Sequence, residues 1–404
     1  MNASDILGLI NLEQGLHTEP MILNMGPSHP ATHGTVRFVL TLDGESIIKM
    51  DMEVGYLHRG FEKMCEHATW TQVFPYTDRL NYVSPLINNF GYAMTVEKLL
   101  GIKVPDRCEY IRTIMSEISR ITDYLTCLGA GALELGGFSA FLYSIEGREF
   151  LWDLIEEVSG QRMMATYGRI GGVKDDLPHD FADKWRALRK HLLSLISSVD
   201  KLLTRNRIFI DRMQGTGVIS QKDAIQYGFT GPCLRSTGVA YDVRKAFPYH
   251  AYDRVDFDVI VGSTGDNYDR YLVRVEELLQ SIRIIDQCIV QMPAGPVNTD
   301  DPRVVLPEKS NVYNSIEGMI NHFKLIFEGI QVPAGEAYGY VEGGNGELGY
   351  YIVSNGSGRP WKIKVRPPCF YLVGAMHKML EGAMLADIIP TFDTLNMIGG
   401  EIDR

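Results

Sequence analysis

The chain has 404 residues, 45% of them hydrophobic and 22% charged, the balance of a globular protein with a sizeable core. Its net charge of -11 argues against a nucleic-acid binder, which would carry a basic face. No run of about 18 apolar residues is present to span a membrane. Met1 to Gly15 carries acids and no basic n-region, so it reads as neither a secretory signal nor a transit peptide. The six cysteines are scattered without a Cys-x-x-Cys pair, which argues against a zinc ribbon or an iron–sulfur cluster held by this chain alone. They fit free thiols in a reducing compartment. Any redox centre is therefore expected to be a bound small molecule or to belong to another chain.

Gly26 to Arg37 opens as a stiff loop, with Pro27 and Pro30 fixing the backbone around His29 and His33. Val36, Phe38, Leu40 and Leu42 then alternate, and Ile48, Met50, Met52 and Val54 alternate again after Asp43-Gly44, which predicts a β-hairpin. Phe61 to Gln72 reads as a helix that Pro75 breaks, and a second helix is expected from Arg79 to Leu100. From Asp106, Ile111, Ile114, Met115, Ile118, Ile121, Leu125 and Leu128 form one apolar stripe at helical spacing. It runs into the small-residue segment Gly129 to Gly137, which contains Glu134.

Further helices are predicted at 148–158, 181–203 and 268–291, with a short one capped by Ser220 and stopped at Gly228. Another is expected over 311–328, with Ser310 as its cap and Gly329 as its stop. Ala337 to Glu342, Glu347 to Ser354 and Trp361 to Val365 read as a three-stranded antiparallel meander, and a last helical stretch covers 372–385. The expected fold class is α+β: a central helical bundle, 76–330, between an N-terminal β-hairpin region, 1–75, and a C-terminal meander with its terminal helix, 331–404. The bundle and the meander are expected to share one core.

Three residues are the first candidates for chemistry. His33 can give and take protons near neutrality, or it can simply bond its own loop. Tyr82 can donate a hydrogen bond to a carbonyl oxygen while its ring packs on a flat ligand, or it can be a core residue at a helix start. Glu134 is costly to bury unless paired, with Arg79, His58, Arg59 and Asp403 as possible partners, or its run lies at the surface. No nucleotide loop, nucleophile elbow or His-Glu-x-x-His pair occurs, which weakens nucleotide-binding and hydrolase readings.

The motifs themselves carry a family resemblance. Gly26 to Gly34, Gly55 to Lys63, Tyr76 to Tyr82, Ser159 to Arg162, Gly171 to Val173, Gly346 to Tyr351, Met384 to Asp387 and Gly399 to Arg404 together resemble one family. It is the quinone-site family of respiratory complex I, the D subunits of NADH–quinone oxidoreductases. The resemblance runs from about Met21 to Arg404 and is to the form not fused to the C subunit.

It implies a fold similar to the large subunit of nickel–iron hydrogenases. Where those carry Arg-x-Cys-Gly-x-Cys, this chain has Arg79 to Ser84 without thiols, so no metal is expected. The pocket left is implied to take a quinone as substrate. His33 and Tyr82 would bond its two carbonyl oxygens, and Glu134, in place of the family's aspartate, would orient His33. Arg79, His58, Arg59 and Asp403 would support that pocket.

Electrons would come from a terminal iron–sulfur cluster in an adjacent subunit. Arg162 and Met164 would lie near it, Met164 standing where many members have a titratable histidine. The implied partners are the cluster-bearing protein, the C subunit and the membrane arm of complex I. The implied location is the cytoplasmic side of the bacterial inner membrane, with quinone reduction coupled to proton pumping. A subunit fed by ferredoxin or another donor, and a non-catalytic hydrogenase-like subunit, are the alternatives.

Overall fold

A computed structural model describes residues 19–404. The segment Met1 to Gly15, read above for targeting signals, lies outside the described residues. Three strands open the fold: β1 (Met21–Met25), β2 (Arg37–Asp43) and β3 (Ser46–Glu53), antiparallel in that order. β1 has no counterpart among the elements expected from sequence. The β2–β3 hairpin is present, but a bulge between Thr41 and Leu42 changes the phase of β3. Ile47 and Met50 are therefore the buried residues, whereas Ile48 is half-buried and Val54 is exposed.

The helix expected over 61–72 stops early. α1 is Phe61–His67, and α2 (Phe74–Thr77) begins one residue before Pro75. Proline is tolerated in that first turn because its missing N–H would have no partner there. α3 (Pro85–Leu100) follows, and then α4 (Asp106–Glu134), the longest helix described, at 29 residues. α5 (Phe138–Ser159), α6 (Phe181–Leu203) and α7 (Arg207–Met213) succeed it, with the short pair β4 (Gly168–Arg169) and β5 (Gly172–Val173) between α5 and α6. α8 (Gln221–Gln226) has the expected cap, since the Ser220 hydroxyl accepts from the Asp223 N–H at 3.1 Å. α9 (Gly231–Arg235), α10 (Val243–Ala246) and α11 (Asn267–Gln291) complete the bundle. α4 lies along α5 and α11, and Gly129 allows the close approach, since a Cβ there would be 3.0 Å from the Ser144 Cβ.

The single helix expected over 311–328 is two, α12 (Lys309–Asn314) and α13 (Ile316–Phe327). Ser315 is extended between them and caps α13, its hydroxyl accepting from the Gly318 N–H at 3.1 Å. The meander is β6 (Gly335–Glu342), β7 (Glu347–Ser354) and β8 (Lys362–Arg366), antiparallel in chain order. It packs on α3, where a Cβ on Gly91 would be 2.9 Å from Val341. The last stretch is broken into α14 (Pro368–Gly374), α15 (Met376–Leu380), α16 (Ile388–Thr394) and α17 (Gly399–Asp403).

Buried apolar side chains gather in three clusters. One fills the bundle around α4, one joins β2 and β3 to the C-terminal helices, and one lies between α1, α3 and the meander. Among the described residues no helix is long and apolar enough to cross a membrane.

Candidate functional site

The stiff loop is held by its own polar groups. Thr32 Oγ1 donates to the carbonyls of Pro27 (3.2 Å) and His29 (2.8 Å), and His29 Nδ1 accepts from the Ala31 N–H at 3.2 Å. His29 is thus a local cap. A Cβ on Gly26, whose φ is +88°, would sit 2.5 Å from the Val36 carbonyl oxygen, so only glycine fits. His33 ends the turn in the left-handed region, at φ 54°. Its side chain is exposed, with the Phe392 ring 6.2 Å away between centroids.

Tyr82 lies in the turn that leads into α3, half-buried against α17. Gly399 and Gly400 make that packing possible. A Cβ on Gly400 would be 3.3 Å from Tyr82 Cδ1, and one on Gly399 would be 2.6 Å from Thr35 Cγ2. The His33 loop and the Tyr82 turn therefore lean on the same five-residue helix. That helix also clamps the Gly55 to Arg59 segment. Asp403 accepts from the N–H groups of Gly55 (2.8 Å) and Leu57 (2.6 Å), and its carbonyl meets His58 Nδ1 at 2.6 Å. Arg59 donates to the Arg79 carbonyl at 2.5 Å, and Arg79 to that of Pro75 at 2.5 Å. A cavity of about 460 Å³ beside this clamp is lined by His58, Asp403 and Arg404, but not by His33 or Tyr82.

Beneath Tyr82 is a buried polar cluster. Asp123 of α4 accepts from Asn81 Nδ2 (2.7 Å), Ser84 Oγ (2.9 Å) and Asn396 Nδ2 (2.7 Å). Asn81 and Ser84, three residues apart in the turn before α3, thus converge on one carboxylate. Asn345 Nδ2 donates to Cys369 Sγ at 3.0 Å, and Glu401 Oε2 accepts from the Cys369 N–H at 3.3 Å, which leaves Glu401 Oε1 buried without a partner. Burial raises Glu401 to about 7. Burial, with Cys369, Asp123 and Glu401 nearby, also raises the Tyr82 phenol, so it stays protonated and able to donate.

Glu134 does not have the expected partner. It is the last residue of α4 and is exposed, and no hydrogen bond or ion pair joins it to His33, Arg79, His58, Arg59 or Asp403 among the described residues. The segment lies at the surface there. The rule that a carboxylate among apolar residues needs partners applies instead to Asp123, which lies within the α4 stripe between Ile121 and Leu125. That stripe is visible in the sequence, and it points to the cluster under Tyr82.

Arg162 lies in the loop after α5, and its guanidinium is held by Glu149 (2.5 Å), Asp153 (2.6 Å) and Glu156 (3.1 Å) of that helix. Met164 is half-buried two residues on. All six cysteines are buried and unbridged, and among the described residues no group of three or more His, Cys, Asp or Glu is gathered to hold a metal ion.

Comparison with known proteins adds a family match and three relatives. The family described as "Respiratory-chain NADH dehydrogenase, 49 Kd subunit" matches residues 134–404. A NADH-quinone oxidoreductase D subunit from Myxococcus xanthus is 56% identical over 393 residues, 97% of this chain and 95% of the relative. A D subunit of the same enzyme from Sorangium cellulosum is 55% identical over 393 residues, 97% of each. A fused NADH-quinone oxidoreductase C/D subunit from Bdellovibrio bacteriovorus is 47% identical over 389 residues, 96% of this chain and 70% of that longer one.

Proposed function

Because the chain belongs to the respiratory-chain NADH dehydrogenase 49 Kd subunit family, we propose that it receives the quinone headgroup of that complex, with His33 and Tyr82 bonding the two carbonyl oxygens. It is a subunit of an oxidoreductase complex and works in electron transport. The observation that carries the proposal is the shared support of the His33 loop and the Tyr82 turn on α17. A protonated phenol that is half-buried over a polar cluster can donate to a carbonyl oxygen, and an exposed imidazole on a stiff loop can meet the opposite one.

Reducing a quinone to a quinol takes two electrons and two protons. The electrons come from a terminal iron–sulfur cluster in a neighbouring protein of the complex, and Tyr82 and His33 supply the protons. The quinone is a substrate, and its channel is completed by a partner chain. Glu134 orients a protonated His33 when the side chains close on the headgroup, and its freed carboxylate starts the coupling to proton pumping. Asp403, His58, Arg59 and Arg79 hold the wall beside Tyr82. Arg162, once drawn from its three acids by a partner chain, sets a positive charge beside the cluster, next to the non-titrating Met164. With these roles go a hydrogenase-like fold, contact with the C subunit to which the longer relative is fused, and a place on the cytoplasmic face of the membrane.

The test is Tyr82→Phe and His33→Ala in the assembled complex. Each is expected to lower quinone reductase turnover by on the order of 100-fold while electron transfer to an artificial acceptor upstream stays intact. Unchanged turnover and quinone affinity in both variants would leave this chain with a structural role only.

A further inference from the structure

Tyr82 lies in the turn after α2, whereas Arg162 and Met164 lie in the loop after α5. Asp78 joins these two segments. It directly follows α2, four residues before Tyr82, and is completely buried. Thr166, two residues beyond Met164, donates from Oγ1 to Asp78 Oδ2 at 2.6 Å. Asn89 Nδ2 of α3 donates to Asp78 Oδ1 at 2.5 Å. The same amide nitrogen donates to Thr77 Oγ1 at 3.1 Å, while Asn89 Oδ1 is buried without a partner. The Asn89 side chain is thus committed to donating toward the carboxylate.

The segments are pressed together beside this contact. A Cβ on Gly168 of β4 would be 3.1 Å from the Asn89 Cβ and 3.4 Å from Phe74 Cε1. The cations that act on Asp78 are turned to carbonyls, Arg79 to that of Pro75 (2.5 Å) and Arg169 to those of Thr166 and Gly168 (2.8 Å each). Two neutral donors therefore hold the carboxylate. Burial raises it to about 6 against the bonds from Thr166 and Asn89, so it is ionised and accepting at neutral pH. On the Tyr82 side the turn is bonded to itself and to α3. The Leu80 N–H meets the Thr77 carbonyl at 3.2 Å, and the Ser84 N–H that of Asn81 at 3.2 Å. Asn88 Nδ2 spans the carbonyls of Thr77 (3.1 Å) and Asn81 (3.0 Å). A shift of Asp78 is passed to Tyr82 through this short bonded turn.

We propose that Asp78 is a positioning residue that fixes the Tyr82 turn to the loop bearing Arg162 and Met164, and so sets where the quinone headgroup stands relative to the side from which electrons arrive. This deepens the quinone-site reading and rests on it. Hydrogen bonds to an ionised carboxylate are stronger and shorter than neutral ones, which suits a tether between two loops. Removing the Thr166 hydroxyl leaves a buried carboxylate oxygen short of its donor, and the turn then shifts to satisfy it. A displacement on the order of 1 Å, made away from the chemistry, can cost about 100-fold in rate. Asp78 and Thr166 do not touch the headgroup in this assignment, and their effect comes through Tyr82.

The experiment compares Thr166→Val, Thr166→Ser, Asp78→Asn and the Asp78→Asn, Thr166→Val double variant in the assembled complex. Quinone reductase kcat and KM are measured beside electron transfer to an artificial acceptor upstream, and amide exchange is followed at Leu80 and Ser84. Thr166→Val is expected to lower kcat on the order of 10-fold, with KM and upstream transfer unchanged and both amides exchanging faster. Thr166→Ser, which keeps the hydroxyl, should match the wild type in kcat and exchange. The double variant should be no slower than the slower single one, because both remove the same contact. Wild-type kcat in Thr166→Val, a Thr166→Ser as slow as Thr166→Val, or losses that multiply in the double variant would each overturn the proposal. Should Asp78→Asn fail to assemble, the valine and serine variants decide alone. If Thr166→Val is slow while Tyr82→Phe and His33→Ala leave quinone reduction intact, the tether stands and the quinone reading fails. The reverse pattern rejects the tether and keeps the reading.

Discussion

A Cβ on Gly400 would stand 2.3 Å from the Arg79 carbonyl oxygen and 2.5 Å from that of Leu80. Both contacts are with backbone, which cannot rotate aside. Gly400→Ala is therefore expected to push α17 off the Tyr82 turn, costing about 1–3 kcal/mol in thermal stability and a larger share of quinone reduction than of assembly. A full-activity G400A complex would remove α17 as the common support. Single residues differ in how legible they are from the sequence. His33 and Tyr82 stand out because their motifs are distinctive, although nothing in composition brings their two segments against one helix. Glu134 looks buried among small and apolar neighbours, yet it ends α4, and a helix end can lie in water whatever its composition. Asp123 sits inside a stripe whose period alone buries it.

At the level of elements, strong periodicity is a sound guide. The meander is legible from alternation and glycine turns, and α6 begins and ends at the expected residues, Phe181 and Leu203. Interior punctuation is the weak point. α12 and α13 read from sequence as one helix, but Ser315 takes an extended backbone and starts a new one. Ser315→Ala should cost about 1 kcal/mol locally, visible as faster amide exchange in the first turn of α13. Ser310→Ala, at the cap expected from sequence, should leave that turn unchanged, because its hydroxyl lies 3.5 Å from Glu308 and caps nothing in α13. The β3 register escapes the sequence for a related reason. A bulge is set by the fit of two strands, which one strand's alternation does not record.

Across the whole molecule, a buried ionic network ties segments far apart in the chain. Arg244 meets Glu117 at 3.2 Å and Asp242 at 2.7 Å, Arg120 meets Glu117 at 3.2 Å, and Arg235 meets Glu277 at 2.6 Å and Glu342 at 2.8 Å. These residues come from α4, α9, α11, β6 and the turn at α10. Burial alone would raise Glu117, but Arg120 and Arg244 overcome it and hold the carboxyl down at about 2. A depressed carboxyl stabilises the fold above its unfolded value of about 4.3. That contribution is lost as pH falls through about 2. Arg244→Met leaves Glu117 and Asp242 short of a partner, with an expected cost of about 3–5 kcal/mol. Its acid unfolding should begin at higher pH than in the wild type, and thermal melts across the acid range would detect this. The network also limits how the protein can diverge. Replacing one of these residues strands an opposite charge in the interior, so lineages should exchange them in charge-balanced sets rather than singly. Across many relatives, positions 117, 120, 235, 242, 244, 277 and 342 are then expected to change together or not at all.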